Sequence, residues 1–393
     1  QVGRGSFVRR PMLGTERERA YYRTAERPEV IDLGMNLPVP GPADARLGAA
    51  LAALAREGHL AATFGRGVPA ENPRHCAAGA KWLQRLGFDA RTEETLVTVG
   101  GQHALLVAFM ATTSPGDPVL VEPHSFPPVK QIARHLKLRL CPAPVDGEGL
   151  TPEGLDELCR KTNAKALYAM PTLQSPTTAT MSTERRRRIA DVARRRGLAI
   201  IEDDVYGHLP ARRPPPLAAF APERVLLVSG LSKSVAPWLR VGYLRVPEQF
   251  AGSARSAIAM SCWTPPALSA ELASRWIEDG SADAMLAWQR REIRARQKVA
   301  RKILGEHAGR SSPDGLHLWL RLPEGVGSEA FQTAAERRNV RVISSGMFAV
   351  GRDTVSAIRL ALGQPRTREL LRRGIEIIES LLRTGGSLED GVV

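Results

Sequence analysis

Cysteine is scarce in this chain and aromatic residues are few. Only four cysteines occur in 393 residues, Cys76, Cys141, Cys159 and Cys262, and they lie far apart with no CxxC pair. That spacing argues against a disulfide framework and against a thiolate metal site; buried free thiols are the expectation. No stretch reaches the roughly 18 consecutive apolar residues that a membrane span needs. The opening residues "QVGRGSFVRR" lack the apolar core of a secretory signal, so a cytoplasmic location is expected. Internal repeats and low-complexity segments are missing too. Negative charge is in short supply: 41 Asp and Glu stand against 55 Lys and Arg, a formal net charge of +14. The excess suits an anionic partner such as phosphate or nucleic acid and is silent about fold. Much of it is arginine on two helical patterns, "ERRRRIADVARRR" (184–196) and "WQRREIRARQKVARK" (288–302). A solvated helix face is the reading favoured there over a nucleic-acid footprint.

What the chain does have is length enough for a sizeable core and a regular alternation of short apolar runs with helical patterns. "TLVTVGG" leads into "QHALLVAFMATT", "DPVLVEP" into "PPVKQIARHLK", and "KALYAMP" precedes "TERRRRIADVARRRG"; "LAIIEDD" and "RVLLVSG" follow. Buried-looking strands separated by helices indicate an α/β fold, a mostly parallel sheet covered on both faces. Residues 46–250 form the expected large domain, preceded by an N-terminal arm (1–45) that contributes to a smaller one. Two helical patterns, one of them long (282–306), connect over 251–306. Residues 307–393 change character: "GLHLWLRLP" alternates like a half-exposed strand, and "VRVIS" and "SAIRLAL" also read as strands. With the helical patterns "SEAFQTAAERRN" and "TRELLRRGIEIIESLLR", they predict a small α+β domain.

Ligands of open α/β sheets bind at the carboxyl ends of the strands, so the residues there carry the functional argument. After "TLVTV" come Gly100, Gly101 and Gln102, opening a helix whose N-terminus suits an anion. Phe126 follows "VLVE", and a flat ring there could stack on another. Asp203 and Asp204 end "LAIIE", with Tyr206 two residues on. Lys233 follows "VLLVSG", and Arg240 comes seven residues later in "LSKSVAPWLRVGY". Each alone has a dull explanation, as a tight turn, a core aromatic, a helix cap or a solvated lysine. Together they supply an anion cradle, an aromatic plate, a carboxylate, a phenol and an amine at successive strand ends. Pyridoxal phosphate needs that set: a lysine to carry it, an acid for its ring nitrogen and anchors for its phosphate.

The segments "PTLQSPTTATMSTERRRRIADVARRRGLAIIEDDVYGHL" (171–209) and "SGLSKSVAPWLRVGYL" (229–244) resemble the class I and II aminotransferases, enzymes of the type I pyridoxal-phosphate fold. Similarity of organisation runs from about residue 30 to 383, and the wording is most similar to the C-terminal domain of MocR-type regulators in the GntR superfamily. The resemblance implies that Lys233 forms the aldimine, that Asp203 partners the pyridine nitrogen and that Tyr206 bonds the ring hydroxyl. It places Arg240, Gly101, Gln102 and Ser232 around the cofactor, Phe126 on its ring and Ser175 near the ring hydroxyl. Arg359, in "SAIRLALG", matches the arginine that grips a substrate carboxylate. On a strand it shares a face with Ala357 and Ala361, which would leave room for a ligand. Three departures stand out. Ser175 replaces the family's usual Asn. Gly230 stands where Ser or Thr usually binds phosphate, with Ser229 one step earlier. Cys76 stands where MocR-type relatives usually have Arg, which would alter ligand selection at the small-domain interface.

The phrase "QVGRGSFVRRP" looks like the closing turns of a GntR-type wing, which makes residues 1–45 a candidate wing remnant. No helix-turn-helix pattern is legible, so DNA would be reached through a domain preceding this one. Two functions follow from the resemblance. One is the ligand-sensing domain of a regulator, forming an aldimine with a small amino compound that bears a carboxylate or similar anion. The other is a working aminotransferase passing an amino group from an amino acid to a keto acid. Both imply pyridoxal 5'-phosphate as cofactor, a homodimer, and neither metal nor membrane.

Overall fold

The computed structural model describes residues 29–58, 72–309, 311–352 and 355–384. The wing-like phrase lies outside them. In chain order the elements are β1 (Ile31–Asp32), α1 (Ala43–Glu57), α2 (Pro73–Gln84), β2 (Thr95–Thr98), α3 (Gly100–Thr112), β3 (Pro118–Val121), α4 (Pro127–His135), β4 (Arg139–Pro142), α5 (Pro152–Thr162), β5 (Ala166–Ala169), α6 (Thr183–Arg196), β6 (Ala199–Asp203), β7 (Val225–Gly230) and β8 (Gly242–Arg245). There follow α7 (Glu248–Cys262), α8 (Ala267–Glu278), α9 (Ser281–Leu304), β9 (His317–Arg321), α10 (Ser328–Arg337), β10 (Val340–Arg341), β11 (Ile343–Ser344), β12 (Ala357–Ala361) and α11 (Arg368–Arg383).

Seven strands form the large sheet in the order β2-β8-β7-β6-β5-β3-β4. All are parallel except β8, which runs against both β2 and β7. Strands β3, β5, β6 and β7 are buried at every residue. That is why their apolar runs are continuous rather than alternating. The helices start and stop where local chemistry dictates. In α6, Ser182 accepts from the Arg185 N–H at the N-cap and Gly197, at φ 65°, closes the other end.

A second apolar core unites Ile31 and Leu33 with α9, β9, β12 and α11 through Ala300, Leu304, Leu318, Leu360, Ile375 and Ile378. Here β9, β12 and β11 pair antiparallel in that order, while β1 pairs parallel with β10. The N-terminal segment is thus stitched to the far end of the chain.

Four details differ from the sequence expectations. Three helices rather than two fill the span after residue 247, because Pro265 and Pro266 interrupt the pattern between α7 and α8. "VRVIS" is two strands in two sheets. His317, on β9, is fully buried, because the β9 face expected to meet solvent turns toward the large sheet. And the arginine-rich helices are not uniformly solvated. Arg186 is fully buried and donates to the carbonyls of Pro171 (2.7 Å) and Met181 (3.1 Å). Arg296, also buried, donates to the carbonyls of Leu362 (2.8 Å) and Pro365 (2.7 Å). Both direct part of their fork-shaped donor sets at backbone carbonyls of loops.

Candidate active site

Between β7 and β8 the chain makes a loop, residues 231–241, that carries Lys233 and Arg240. Its two ends are neighbours, since Gly230 pairs with Gly242 across the ladder. A Cβ on Gly230 would stand 2.8 Å from the Val241 carbonyl oxygen and 3.0 Å from the Gly242 Cα. The close approach of the strands therefore accounts for glycine where relatives carry Ser or Thr. Ser229 does not replace the missing hydroxyl, because it is fully buried with its Oγ 3.3 Å from His208 Nε2. Ser232 and Ser234 have buried hydroxyls with no hydrogen-bond partner among the described residues.

Lys233 Nζ donates to the Asn36 carbonyl oxygen at 2.5 Å and lies 5.9 Å from the centre of the Tyr206 ring. Burial pushes its proton affinity down to about 8; the charges of Arg359 and Arg240 act the same way, and Asp203 opposes them. Asp203 ends β6. Its Oδ2 accepts from the Tyr168 hydroxyl at 2.9 Å. Burial raises its carboxyl to about 6, against that hydrogen bond and the Val205 N–H. The adjacent Asp204 is a separate matter, paired with Arg213. Tyr206 is buried, and its Oη accepts from Asn36 Nδ2 at 2.8 Å. Amine, acid and phenol therefore converge.

The anion-binding features gather at the start of α3. That helix begins at Gly100 (φ 78°) with no side-chain cap. Arg240, itself in the left-handed region at φ 53°, lays its guanidinium against Gly100: a Cβ there would be 2.9 Å from Nη2. Free helix N–H groups and an arginine so close to them make an anion cradle. Gly100→Ala should therefore weaken capture of pyridoxal phosphate by about tenfold, through backbone strain and displacement of Arg240. Equilibrium titration of the absorbance checks this. Gly101 packs against Val205, where a Cβ would find Cγ1 at 3.0 Å. Gln102 is exposed, and Phe126, half-buried, packs between the large core and the Ile343–Phe348 pair. No hydrogen bond or ring contact joins Gln102 or Phe126 to Lys233 or Asp203 among the described residues.

Arg359 comes from the opposite side, on β12. It is fully buried, donates through Nη2 to the Gly34 carbonyl oxygen (2.7 Å), and has Nη1 3.3 Å from Ser175 Oγ. Its guanidinium lies 4.8 Å from the Phe348 ring centre. The space beside it is not left open by Ala357 and Ala361 alone. Trp319 pairs with Arg359 across the strands and His317 with Ala361, so both share that face. Ser175 is thus turned to Arg359, on a loop that Arg186 pins at Pro171 and Met181. Gln174, next in that loop, donates to the His124 carbonyl oxygen (2.6 Å) and to Glu122 (3.3 Å). Burial lifts the Glu122 carboxyl to about 8. A cavity of about 730 Å³ opens here, lined by Glu122, His124, Gln174, Trp319 and Arg321. Cys76 is buried in α2, within electrostatic reach of Tyr243 of the large sheet, and α2 packs on β2, β8 and α8. That places it away from the small-domain interface expected for it.

Sequence reasoning missed Asn36, His317 and Tyr168. Asn36 Nδ2 lies 2.9 Å from His317 Nδ1 as well as touching Tyr206. Asn36 is a buried polar residue in the apolar phrase "LGMNLP", the one signal that could have singled it out.

The family described as aminotransferase class I and II matches residues 28–378. The chain belongs to that family. It is a pyridoxal-phosphate-dependent aminotransferase-class domain with the type I fold. Among its relatives is an uncharacterized HTH-type transcriptional regulator of Bacillus subtilis, YdeF, 31% identical over 97% of this chain and 82% of that protein. An aromatic-amino-acid aminotransferase of Thermococcus litoralis is 24% identical over 93% of this chain and 92% of its own. In structure, the kynurenine aminotransferase of Pyrococcus horikoshii, solved in complex with PMP, superposes with a TM-score of 0.85 at 22% identity, covering 95% of each chain. The residues present fit the family's cofactor. A glycine that a Cβ would close off lies under Arg240, two buried hydroxyls beside Lys233 lack partners among the described residues, and a buried carboxylate and a buried amine share one site.

Proposed function

We propose that this chain is the ligand-sensing domain of a MocR/GntR-type transcriptional regulator, one that takes up a small amino compound through pyridoxal phosphate held on Lys233. The observation that carries this reading is the similarity to YdeF along 82% of that regulator's length, joined to a site that keeps its amine, acid and both arginines. The bound cofactor supplies an electron-poor ring that can take up negative charge from the carbon bearing the ligand's amino group. Lys233 Nζ is the amine that carries it and, once released, the base placed to hold a proton from that carbon. Asp203 would hold the proton of the ring nitrogen, and Tyr206 Oη would bond the ring hydroxyl. Arg240, with Gly101, Gln102 and Ser232, would receive the phosphate, and Phe126 would serve the ring. Arg359 exchanges Gly34 and Ser175 for the ligand's carboxylate. Closure of the small domain on that ligand would be the signal passed to DNA through a preceding domain.

A homodimer belongs to this reading. Trp238 on the lysine loop is 38% exposed, and Met260, Trp263 and Leu268 nearby along the chain are 71%, 57% and 44% exposed. Large apolar side chains left in water beside a site suit a second copy. Among the described residues no helix is long and apolar enough to cross a membrane. The cytoplasm is the expected location.

The completeness of the Lys233–Asp203–Arg359 set favours a second reading, a working aminotransferase. One experiment separates the two. Purified protein is loaded with pyridoxal phosphate and mixed with a panel of amino acids and a keto-acid acceptor. A spectral change that stops after one binding event supports the sensor; sustained amination of the keto acid overturns a purely sensory role. Lys233 also sets a pH expectation. Its amine is neutral above about 8 instead of above its ordinary 10.5, so uptake of the cofactor by cofactor-free protein should accelerate as pH rises and reach half its maximal rate near 8. Stopped-flow absorbance measures it, and a midpoint near 10 would show an ordinary solvated lysine.

A further inference from the structure

The anion cradle at the start of α3 depends on a bend that neither strand nor helix geometry supplies. The ladder that joins β2 to β8 ends with Thr98 opposite Gly242. Val99 then takes φ −79° and ψ 61°, the centre of an inverse γ-turn, and Gly100 follows at φ 78°. Two successive residues off the helical and extended basins set where the N–H groups of Gly101 and Gln102 point. His103, on the first turn of the helix, reaches back to this bend. Its Nδ1 accepts from the Val99 N–H at 3.1 Å, and its Nε2 lies 2.8 Å from Ser261 Oγ near the end of α7. A backbone N–H can only donate, so Nδ1 is the bare nitrogen and Nε2 carries the hydrogen. Ser261 gives its own hydroxyl proton to the Ala257 carbonyl (2.5 Å) and is left to accept from His103. Each polar atom in this relay, from the Val99 N–H through the imidazole and the Ser261 hydroxyl to the Ala257 carbonyl, therefore has a partner. The relay needs a neutral ring. Half-burial favours one by lowering the proton affinity of the imidazole, and the positive end of the helix beside it acts the same way.

We propose that His103 is a positioning residue for the cofactor's phosphate: by holding the Val99 N–H and resting on α7, it fixes the bend from which the N–H groups of the cradle are aimed. The role is that of the side chain that reaches back in a capping box, taken here by an imidazole four residues after the cap. Arg240 meets the same bend at Gly100, so two side chains from different elements define it. The proposal rests on the reading of this cradle as the pyridoxal-phosphate site. Of the cofactor it governs the phosphoryl group alone, not the ring or the aldehyde.

Ligands with and without the phosphate test it. His103→Ala should bind pyridoxal phosphate about three- to tenfold more weakly, the worth of one hydrogen bond, and should bind pyridoxal, which lacks the phosphate, within about twofold of the unaltered protein. Inorganic phosphate, followed through the amide ¹H–¹⁵N shifts of Gly101 and Gln102 in cofactor-free protein, should lose affinity by a similar factor. His103→Gln should restore both, since a glutamine carbonyl can accept from the Val99 N–H while its amide donates to Ser261. Equal losses for pyridoxal phosphate and pyridoxal would make His103 a general packing residue and overturn the proposal. So would unchanged phosphate affinity in His103→Ala, or a glutamine variant as weak as the alanine one. In the unaltered protein, histidine-ring ¹⁵N spectra near pH 7.5 should show Nδ1 bare and Nε2 protonated, and a protonated Nδ1 would overturn the proposal without any variant. Unaltered protein that takes up inorganic phosphate but no pyridoxal compound would sink the functional reading, and the phosphate affinities would then decide His103. Binding of neither would sink both.

Discussion

Lys233→Ala should abolish the visible absorption that the protein gains with pyridoxal phosphate, and any amino-group transfer with it, while the fold persists. No other lysine can substitute inside the site: Lys233 alone follows β7 in the loop closed by Gly230 and Gly242, with Asn36 and Tyr206 within its reach. Its neutral amine is available at about 8 because burial and two guanidinium groups disfavour the charge. Removing such a base typically costs 10²- to 10⁴-fold in rate, before the lost covalent attachment is counted. The melting temperature should change little, since truncation removes a desolvated amine along with the single hydrogen bond it makes. The measurement is absorbance, backed by the mass of the protein after borohydride reduction. Retention of the band in the alanine variant would overturn the sensor and the enzyme alike.

Arg359→Ala should weaken binding of amino ligands that carry a carboxylate by about 30- to 1000-fold, the usual loss on stripping one partner from a buried ion pair. It should leave simple amines without a carboxylate close to their original affinity. That contrast isolates the guanidinium's part in recognition from its part in holding Gly34 and Ser175, which would affect both ligand types equally. Arg359→Lys keeps the charge but loses the flat fork over Phe348, and an intermediate loss is expected. Calorimetric titration with matched acid and decarboxylated ligands is the measurement. Equal losses for both would assign Arg359 a structural role only.

Much of the α/β layout was legible because the central strands are buried on both faces, so "LAIIE" and "VLLVSG" announce themselves as continuous apolar runs. Polar residues that directly follow such runs have few places to be, and Asp203, Tyr206 and Lys233 converge from there. Arg359 was legible through the family resemblance of "SAIRLALG", with Ala357 and Ala361 sharing its face. His317 was not legible, because alternation along β9 puts it in phase with what reads as a wet face, and only the docking of that face onto Tyr206 buries it. Asn36 was hidden by its irregular segment, since its partners lie 170 and 281 residues away and no local pattern encodes them. The arginines of α6 and α9 misled in the opposite direction. A run of like residues says nothing about which one turns inward, and Arg186 and Arg296 do so to meet carbonyls that belong to loops.

Since Gly230 and Gly242 stand opposite each other in one sheet and the Leu231 N–H donates to the Val241 carbonyl beside them, the stretch from Leu231 to Val241 is a hoop closed at its foot. On its other edge β8 is held in register by β2, so the foot of the hoop is fixed from both sides. The stretch that carries the Lys233 amine and the Arg240 guanidinium is thereby tethered at its base to two strands at once.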